Sequence, residues 1–378
     1  MMRVAYLTSQ AVSAAGWGRY TVEVVKGARA AEIEPVLLTP NNPQIDPALA
    51  NLEIHPILSP VLSQRFETPR SLRHAPAVRE VLATCELAHV IVELYMPLAA
   101  WSLRSLDIPL VLSAFGTWAI RPLENPLQRA FFAPAFARAD RIFFISRFSR
   151  DWMGRLMKLP AHEVLVGGVH PERFRQPIEA RLPDWVGHEP VALSVGALKP
   201  RKGQDVALEA VALARQRVPN LHYAMAGNTQ EMPWYTERLQ KRAKELGLSE
   251  YVHFLGQLPP YSDLVAWYQQ ADVFLLPSVN DGSSFEGLGF VFLEAAAAGT
   301  PAIGTLNCGA MDAILDGETG LLVPQRDPQA TAEALVRILR NPDLRHKMQA
   351  QAPAQAERYS WDNLVGRLLA VYAELRRV

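Results

Sequence analysis

Short runs of consecutive apolar residues alternate with helix-length segments along almost the whole chain. In the first half RVAYLT, PVLLT, HVIVEL, PLVLSAF, RIFFIS and EVLVGG read as strands. In the second half PVALSVG, LHYAMAG, VHFLG, DVFLLP, PAIG and GLLV do the same. Their apolar residues are continuous rather than alternating, which predicts parallel sheets covered on both faces. The expected fold class is α/β, doubly wound, twice over. Between the halves PERFRQPIEARLPDWVGHEP, residues 171–190, has four prolines and no clear period. It reads as an inter-domain linker or hinge. The tail, WDNLVGRLLAVYAELRRV, predicts an amphipathic helix with no strand after it.

Composition narrows the class without changing it. The 378 residues are 49% hydrophobic and 20% charged, enough to bury two full cores. Lys+Arg and Asp+Glu both number 38, so charge gives no argument for a nucleic-acid partner. Cys85 and Cys308 stand far apart in no metal-ligand spacing. A disulfide stays open, with a reducing cytoplasm the better expectation. The N-terminus lacks the apolar core of a secretory signal, and no window reaches the roughly 18 apolar residues a membrane span needs.

In open parallel sheets, ligands bind at the carboxyl ends of strands. Three loops at such ends are chemically unusual. AAGWGRY follows the first strand, and Gly16 and Gly18 free its backbone to approach a ligand or to form a simple turn. Thr21 stands where a dinucleotide fingerprint needs its third glycine. ALKPRKGQD packs Lys199, Arg201 and Lys202 just before a helix beginning near Gln204. Cations are the wrong sign for a helix start unless an anion binds between them, the alternative being a solvated basic loop.

The third loop leads into SFEGLGFVFLEAAAAGTPAIGT, residues 284–305. A helix is expected from about Glu286 to the stop at Gly299 and Pro301, which sets Glu294 roughly 12 Å along the axis. An unpaired buried carboxylate costs several kcal/mol, on the order of a domain's whole stability. Either the two glutamates face water or hydroxyl groups meet them, and two carboxylates so spaced suit the two diols of a nucleotide sugar.

With these motifs the chain resembles the retaining glycosyltransferases of family 4, which have the GT-B fold. The likeness covers nearly the whole chain and rests on the E-x7-E from Glu286 to Glu294, GTPAIGT, DGETGLLV, the PRKG and GWGRY loops and ISRFSRDWM. It implies two Rossmann-like domains facing a central cleft. Residues 1–175 would bind the acceptor and residues 176–359 the donor, with the helix 360–378 packing back on the first domain. It implies that Glu286 holds the transferred sugar and Glu294 the donor ribose. The amides of Gly287, Leu288 and Gly289 would contact sugar or phosphates, and Arg201 and Lys202 the diphosphate. Gly16 and Gly18 join this donor set, with Glu286, Lys202 and Arg201 as the catalytic residues. Three positions depart from the family: Ala197 replaces an arginine, Phe115 replaces the histidine of a His-Gly-Thr motif, and His170 stands at an acidic position.

No D-x-D occurs and no nucleophile stands out, so no metal or cofactor is expected beyond the nucleotide sugar as co-substrate. The resemblance implies retention by front-face displacement, the departing phosphate helping to deprotonate the acceptor hydroxyl. Residues 121–158 carry eight basic and three acidic side chains, interleaved with Phe131, Phe132, Phe136, Phe148 and Trp152. Either this is an ordinary core with a wet arginine face, the favoured reading, or it is a peripheral contact with an anionic inner membrane face or lipid-linked acceptor. Two other functions stay open: a sugar-nucleotide epimerase of the same fold, and a non-catalytic nucleotide-sugar or glycan binder.

Overall fold

The structure is a computed structural model that describes residues 1–12, 16–41, 43–61, 68–259 and 262–376. Ala14 and Ala15 of the glycine loop and the last two residues of the tail lie outside that set. The chain divides into two compact units, Met1–Val166 with Trp361–Val378, and Gly167–Ser360.

The first unit is built on seven strands: β1 (Arg3–Leu7), β2 (Glu34–Pro40), β3 (Glu53–Leu58), β4 (Leu87–Val90), β5 (Leu110–Ala114), β6 (Arg141–Phe144) and β7 (His162–Val164). They lie in the order β3-β2-β1-β4-β5-β6-β7, every pair parallel. Val4, Ala5, Tyr6 and Leu7 are fully buried, as are all five residues of β5, which is what a sheet covered on both faces requires. Strand β3 is absent from the sequence reading because Glu53, His55 and Pro56 interrupt its apolar run. Among the described residues it pairs only with β2, and an edge strand tolerates a proline.

The second unit holds β8 (Val191–Val195), β9 (His222–Ala226), β10 (Val252–Gly256), β11 (Val273–Leu275), β12 (Ala302–Thr305) and β13 (Gly320–Val323). Their order is β10-β9-β8-β11-β12-β13, again parallel throughout. In both sheets the winding reverses beside the first strand, between β1 and β4 and between β8 and β11. A crevice for ligands opens at such points.

The boundary expected at 175/176 falls instead at 166/167. Pro171–Arg175 forms a short helix of the second unit, with Phe174 edge-on to Tyr268 at 5.7 Å. The remainder of the expected linker is also anchored there: Trp185 stacks on His222 at 4.1 Å and on His253 at 4.4 Å. Prolines without periodicity mark irregular backbone, not an absence of tertiary contacts. The tail forms the helix Trp361–Leu375, packed on the helix Gly16–Ala30 so closely that a Cβ at Gly27 would lie 2.3 Å from Val365 Cγ1.

Candidate active site

The loops leaving β8 and β11 meet at the reversal point of the second sheet. After β8, Pro200–Lys202 makes one 3-10 turn and Gly203, at φ 70°, redirects the chain into the helix Gln204–Ala214. A Cβ at Gly203 would sit 1.9 Å from the Pro277 carbonyl oxygen, so only glycine permits this approach. The Val279 N–H donates to the Arg201 carbonyl at 2.9 Å and fixes one loop against the other. The result is an ionic cluster. Lys202 Nζ lies 2.7 Å and Arg201 Nη1 3.0 Å from Glu286 Oε2, and Ser278 Oγ donates to the same oxygen at 3.3 Å. Lys199 is not part of it; its ammonium pairs with Glu231 at 2.9 Å.

Glu286 is not on a helix, contrary to the sequence reading. The helix runs Phe290–Ala297, four residues later than expected, because Gly287 and Gly289 do not propagate one and Gly289 takes φ 77° as its N-cap. The axial spacing to Glu294 therefore does not apply. The loop carrying Glu286 is held from behind: the Gly309 N–H donates to the Glu286 carbonyl at 2.8 Å, and a Cβ at Gly309 would strike the Gly287 carbonyl at 2.0 Å. Among the described residues the N–H groups of Gly287, Leu288 and Gly289 donate no hydrogen bond. They lie at a helix start, where the dipole favours negative charge.

Burial alone would raise the Glu286 carboxyl, but Arg201 and Lys202 outweigh it and hold the group down at about 2. Lys202 is lowered, first by burial and then by Arg201, with Glu286 opposing. Two cations keep the buried carboxylate ionised, while burial and the neighbouring guanidinium both disfavour the ammonium. Glu294 is buried on the second turn of its helix and accepts the Tyr268 hydroxyl at 2.8 Å. So a tyrosine hydroxyl meets the second glutamate, while two cations and the Ser278 hydroxyl meet the first.

Gly16 and Gly18 are placed in the first unit and open the helix Gly16–Ala30 instead of preceding it. Neither has positive φ. Gly18 is required sterically, since a Cβ would lie 2.2 Å from the Val12 carbonyl oxygen; at Gly16 there is open space. Phe115 follows β5 and packs edge-on to Tyr20 at 4.8 Å. Its backbone N–H donates at 2.7 Å to Oε1 of Glu93, a fully buried carboxyl that sequence reading missed. HVIVEL hid it: a strand was expected through Leu94, but β4 ends at Val90 and Glu93 starts a 3-10 turn beyond the sheet.

In the basic and aromatic segment, Phe132 and Phe136 are core residues, and Arg138, Arg141 and Arg150 pair with Asp140, Glu163 and Asp151. Leu127 and Phe131 are exposed. Among the described residues no three His, Cys, Asp or Glu side chains gather as a metal site, and no helix is long and apolar enough to cross a membrane.

Comparison with known proteins fits this geometry. Residues 14–173 match the family model "Glycosyltransferase Family 4", and residues 178–355 match "Glycosyl transferases group 1". The chain is 41% identical over 187 residues to a D-inositol 3-phosphate glycosyltransferase of Corynebacterium urealyticum, covering 48% of this chain and 42% of that protein. It is 36% identical over 211 residues to a GDP-mannose-dependent alpha-(1-6)-phosphatidylinositol monomannoside mannosyltransferase of Mycolicibacterium smegmatis, covering 54% of each. The match thus spans about half the length of either relative. A solved structure of Anabaena HepE in complex with UDP superposes with a TM-score of 0.82 at 16% identity, covering 99% of this chain and 100% of that one. Two parallel-sheet units, the Glu286 cluster at the β8/β11 reversal and these matches together place the chain in glycosyltransferase family 4, with the GT-B fold.

Proposed function

We propose that the chain transfers a hexose from a nucleoside-diphosphate sugar to an acceptor hydroxyl, with retention of anomeric configuration and without a metal ion. The observation that carries this reading is the buried carboxylate of Glu286, clamped by Lys202 and Arg201 beside free backbone N–H groups at a helix start. Two needs of the reaction meet there. Departure of a diphosphate builds negative charge, which Lys202, Arg201 and the Gly287–Gly289 amides would stabilise. The transferred sugar presents hydroxyls, which an ionised carboxylate accepts.

In this mechanism the bond from the anomeric carbon to the phosphate oxygen breaks, and the electron pair leaves with the diphosphate. The acceptor oxygen bonds to the same face, and its proton passes to the departing phosphate oxygen. Glu286 orients the hexose, and Glu294, held by Tyr268, takes the ribose diol. The relative named for GDP-mannose and the fold neighbour solved with UDP make both bases candidates. The printed names of the two sequence relatives also support a sugar-type or lipid-borne acceptor; we infer that the work is done in the cytoplasm, at the inner membrane face for a lipid-borne acceptor.

The test is nucleotide release from UDP-, GDP- and ADP-sugars in EDTA, with and without sugar and lipid acceptors, followed by NMR of the product anomer. Acceptor-stimulated release with retention supports the reading. Inversion, or a strict need for a divalent ion, removes that part of it. Donor conversion without release would indicate an epimerase, and saturable binding without turnover a non-catalytic binder.

A further inference from the structure

The Glu286 cluster satisfies its own charges before any ligand arrives. Lys202 Nζ at 2.7 Å, Arg201 Nη1 at 3.0 Å and Ser278 Oγ at 3.3 Å all converge on one carboxylate oxygen, Oε2. Arg201 Nη1 also donates to the Phe285 carbonyl at 3.2 Å, which holds the guanidinium on the stretch that carries Glu286. The Glu286 and Lys202 side chains are only 8% and 11% exposed, so water does little to replace either partner. Neighbouring groups do not replace them either. Lys199 pairs with Glu231 at 2.9 Å, and the Cys308 thiol, pushed up to about 11 chiefly by burial, stays neutral. Gly196, at the end of β8, presents no side chain to the lysine stem; a Cβ there would lie 3.4 Å from Lys202 Cε. All of these residues belong to the second unit.

The transferase reading gives the same groups other partners: a diphosphate for the two cations and hexose hydroxyls for the carboxylate. We propose that the donor binds by exchange, its diphosphate drawing Lys202 and Arg201 off Glu286 while its hexose hydroxyls cover the carboxylate. Once the hexose has moved, the ion pairs re-form and expel the nucleoside diphosphate. The inference rests on the transferase reading and adds to it the control of product release. A whole donor supplies both an anion and hydroxyls, so each buried group trades one partner for another. The nucleoside diphosphate alone supplies only the anion. Burial disfavours the charged carboxylate, and the two cations are what keep it ionised. A diphosphate that takes them strands a buried charge, which is costly. Glu286 is thus the internal competitor of the leaving nucleotide, silent only while a hexose covers it.

The experiment measures calorimetric Kd values of UDP, GDP and ADP for wild type, Glu286→Gln and Glu286→Gln/Lys202→Met. Each is taken with and without free glucose, mannose or galactose, and a thermal melt of each protein reports folding. We expect Glu286→Gln to bind the preferred diphosphate roughly tenfold more tightly than wild type, since the amide no longer neutralises the cations. The double variant should lose that gain. In wild type one free hexose should tighten diphosphate binding several-fold by covering the stranded carboxylate, and Glu286→Gln should show no such coupling. Equal or weaker diphosphate binding by folded Glu286→Gln overturns the exchange. So does the absence of hexose coupling in wild type, a measurement that needs no variant. If no donor is turned over yet both effects appear, the transferase reading fails while the exchange stands. Turnover without either effect leaves that reading intact and removes the exchange, and a protein that binds no diphosphate removes both.

Discussion

Lys202 Nζ lies 2.7 Å from Glu286 Oε2, and both side chains are buried. The two residues are 84 positions apart in sequence and arrive from different strand ends. Lys202→Ala leaves the carboxylate with Arg201 and Ser278 alone. Breaking one partner of a buried pair costs about 3–5 kcal/mol, and losing one charge-stabilising donor costs roughly 100-fold or more in turnover. Thermal melts and initial rates on the same preparation check both. Pairing Glu286→Gln with Lys202→Met should recover much of the stability and none of the activity.

The same cluster sets acid sensitivity. The Glu286 carboxyl falls from its ordinary 4.5 to about 2 in the folded protein. Its stabilising contribution is therefore complete above the unfolded value and is lost as pH falls through about 2. That corresponds to roughly 3 kcal/mol. Urea unfolding at pH 6 and pH 3 should show wild type losing about 2 kcal/mol of that increment and Glu286→Gln losing little.

Glu93 behaves oppositely. Burial raises it to about 7, so the folded state prefers the neutral acid. The penalty is absent below about pH 4.5, grows as pH rises and is complete above 7. Glu93→Gln should gain on wild type between pH 5 and pH 8, by roughly 3 kcal/mol at most. Equal pH slopes for the two proteins would count against a buried titrating acid.

Gly203 and Gly247 have nearly the same backbone angle, φ 70° and 69°, in different surroundings. A Cβ meets the Pro277 carbonyl at 1.9 Å in the first and nothing within 4 Å in the second. Gly247→Ala should cost about 1–2 kcal/mol, the left-handed penalty alone. Gly203→Ala should cost several times that and weaken nucleotide-sugar binding, because the basic loop can no longer lie against the loop after β11. Calorimetry of nucleotide binding separates the two variants.

Tyr268→Phe removes the hydroxyl that Glu294 accepts at 2.8 Å. A loss of about 1–3 kcal/mol in stability is expected, together with weaker donor binding that excess nucleotide offsets. Melting temperature measured against nucleotide concentration tests this.

Twelve of the thirteen strands among the described residues were legible, because a parallel strand buried on both faces leaves a continuous apolar run. β3 was not, since Pro56 and two polar residues are tolerated only where one side of the strand has no partner. Site residues were legible as types more than as contacts. The two glutamates and the PRKG loop stood out, but their pairing depends on the approach of Gly203 to Pro277, which no local pattern encodes. Glu93 stayed hidden because a single acid at the end of an apolar run reads as the polar end of a strand.

The helix Trp361–Leu375 is synthesised after residues 167–360, yet it belongs to the same unit as residues 1–166. Tyr372 bonds His89 across 283 residues at 2.5 Å, and Trp361 covers Tyr20 at a centroid distance of 5.8 Å. When the second unit has been made and the helix after it has not, His89 and the face around Gly27 are bare, while residues 167–360 can already close their own core. The order of completion is thus second unit first, the reverse of the usual N-terminal-first order. Anyone exchanging units between relatives must move residues 1–166 and the segment from 361 onward as a single cargo, or leave His89 without its tyrosine.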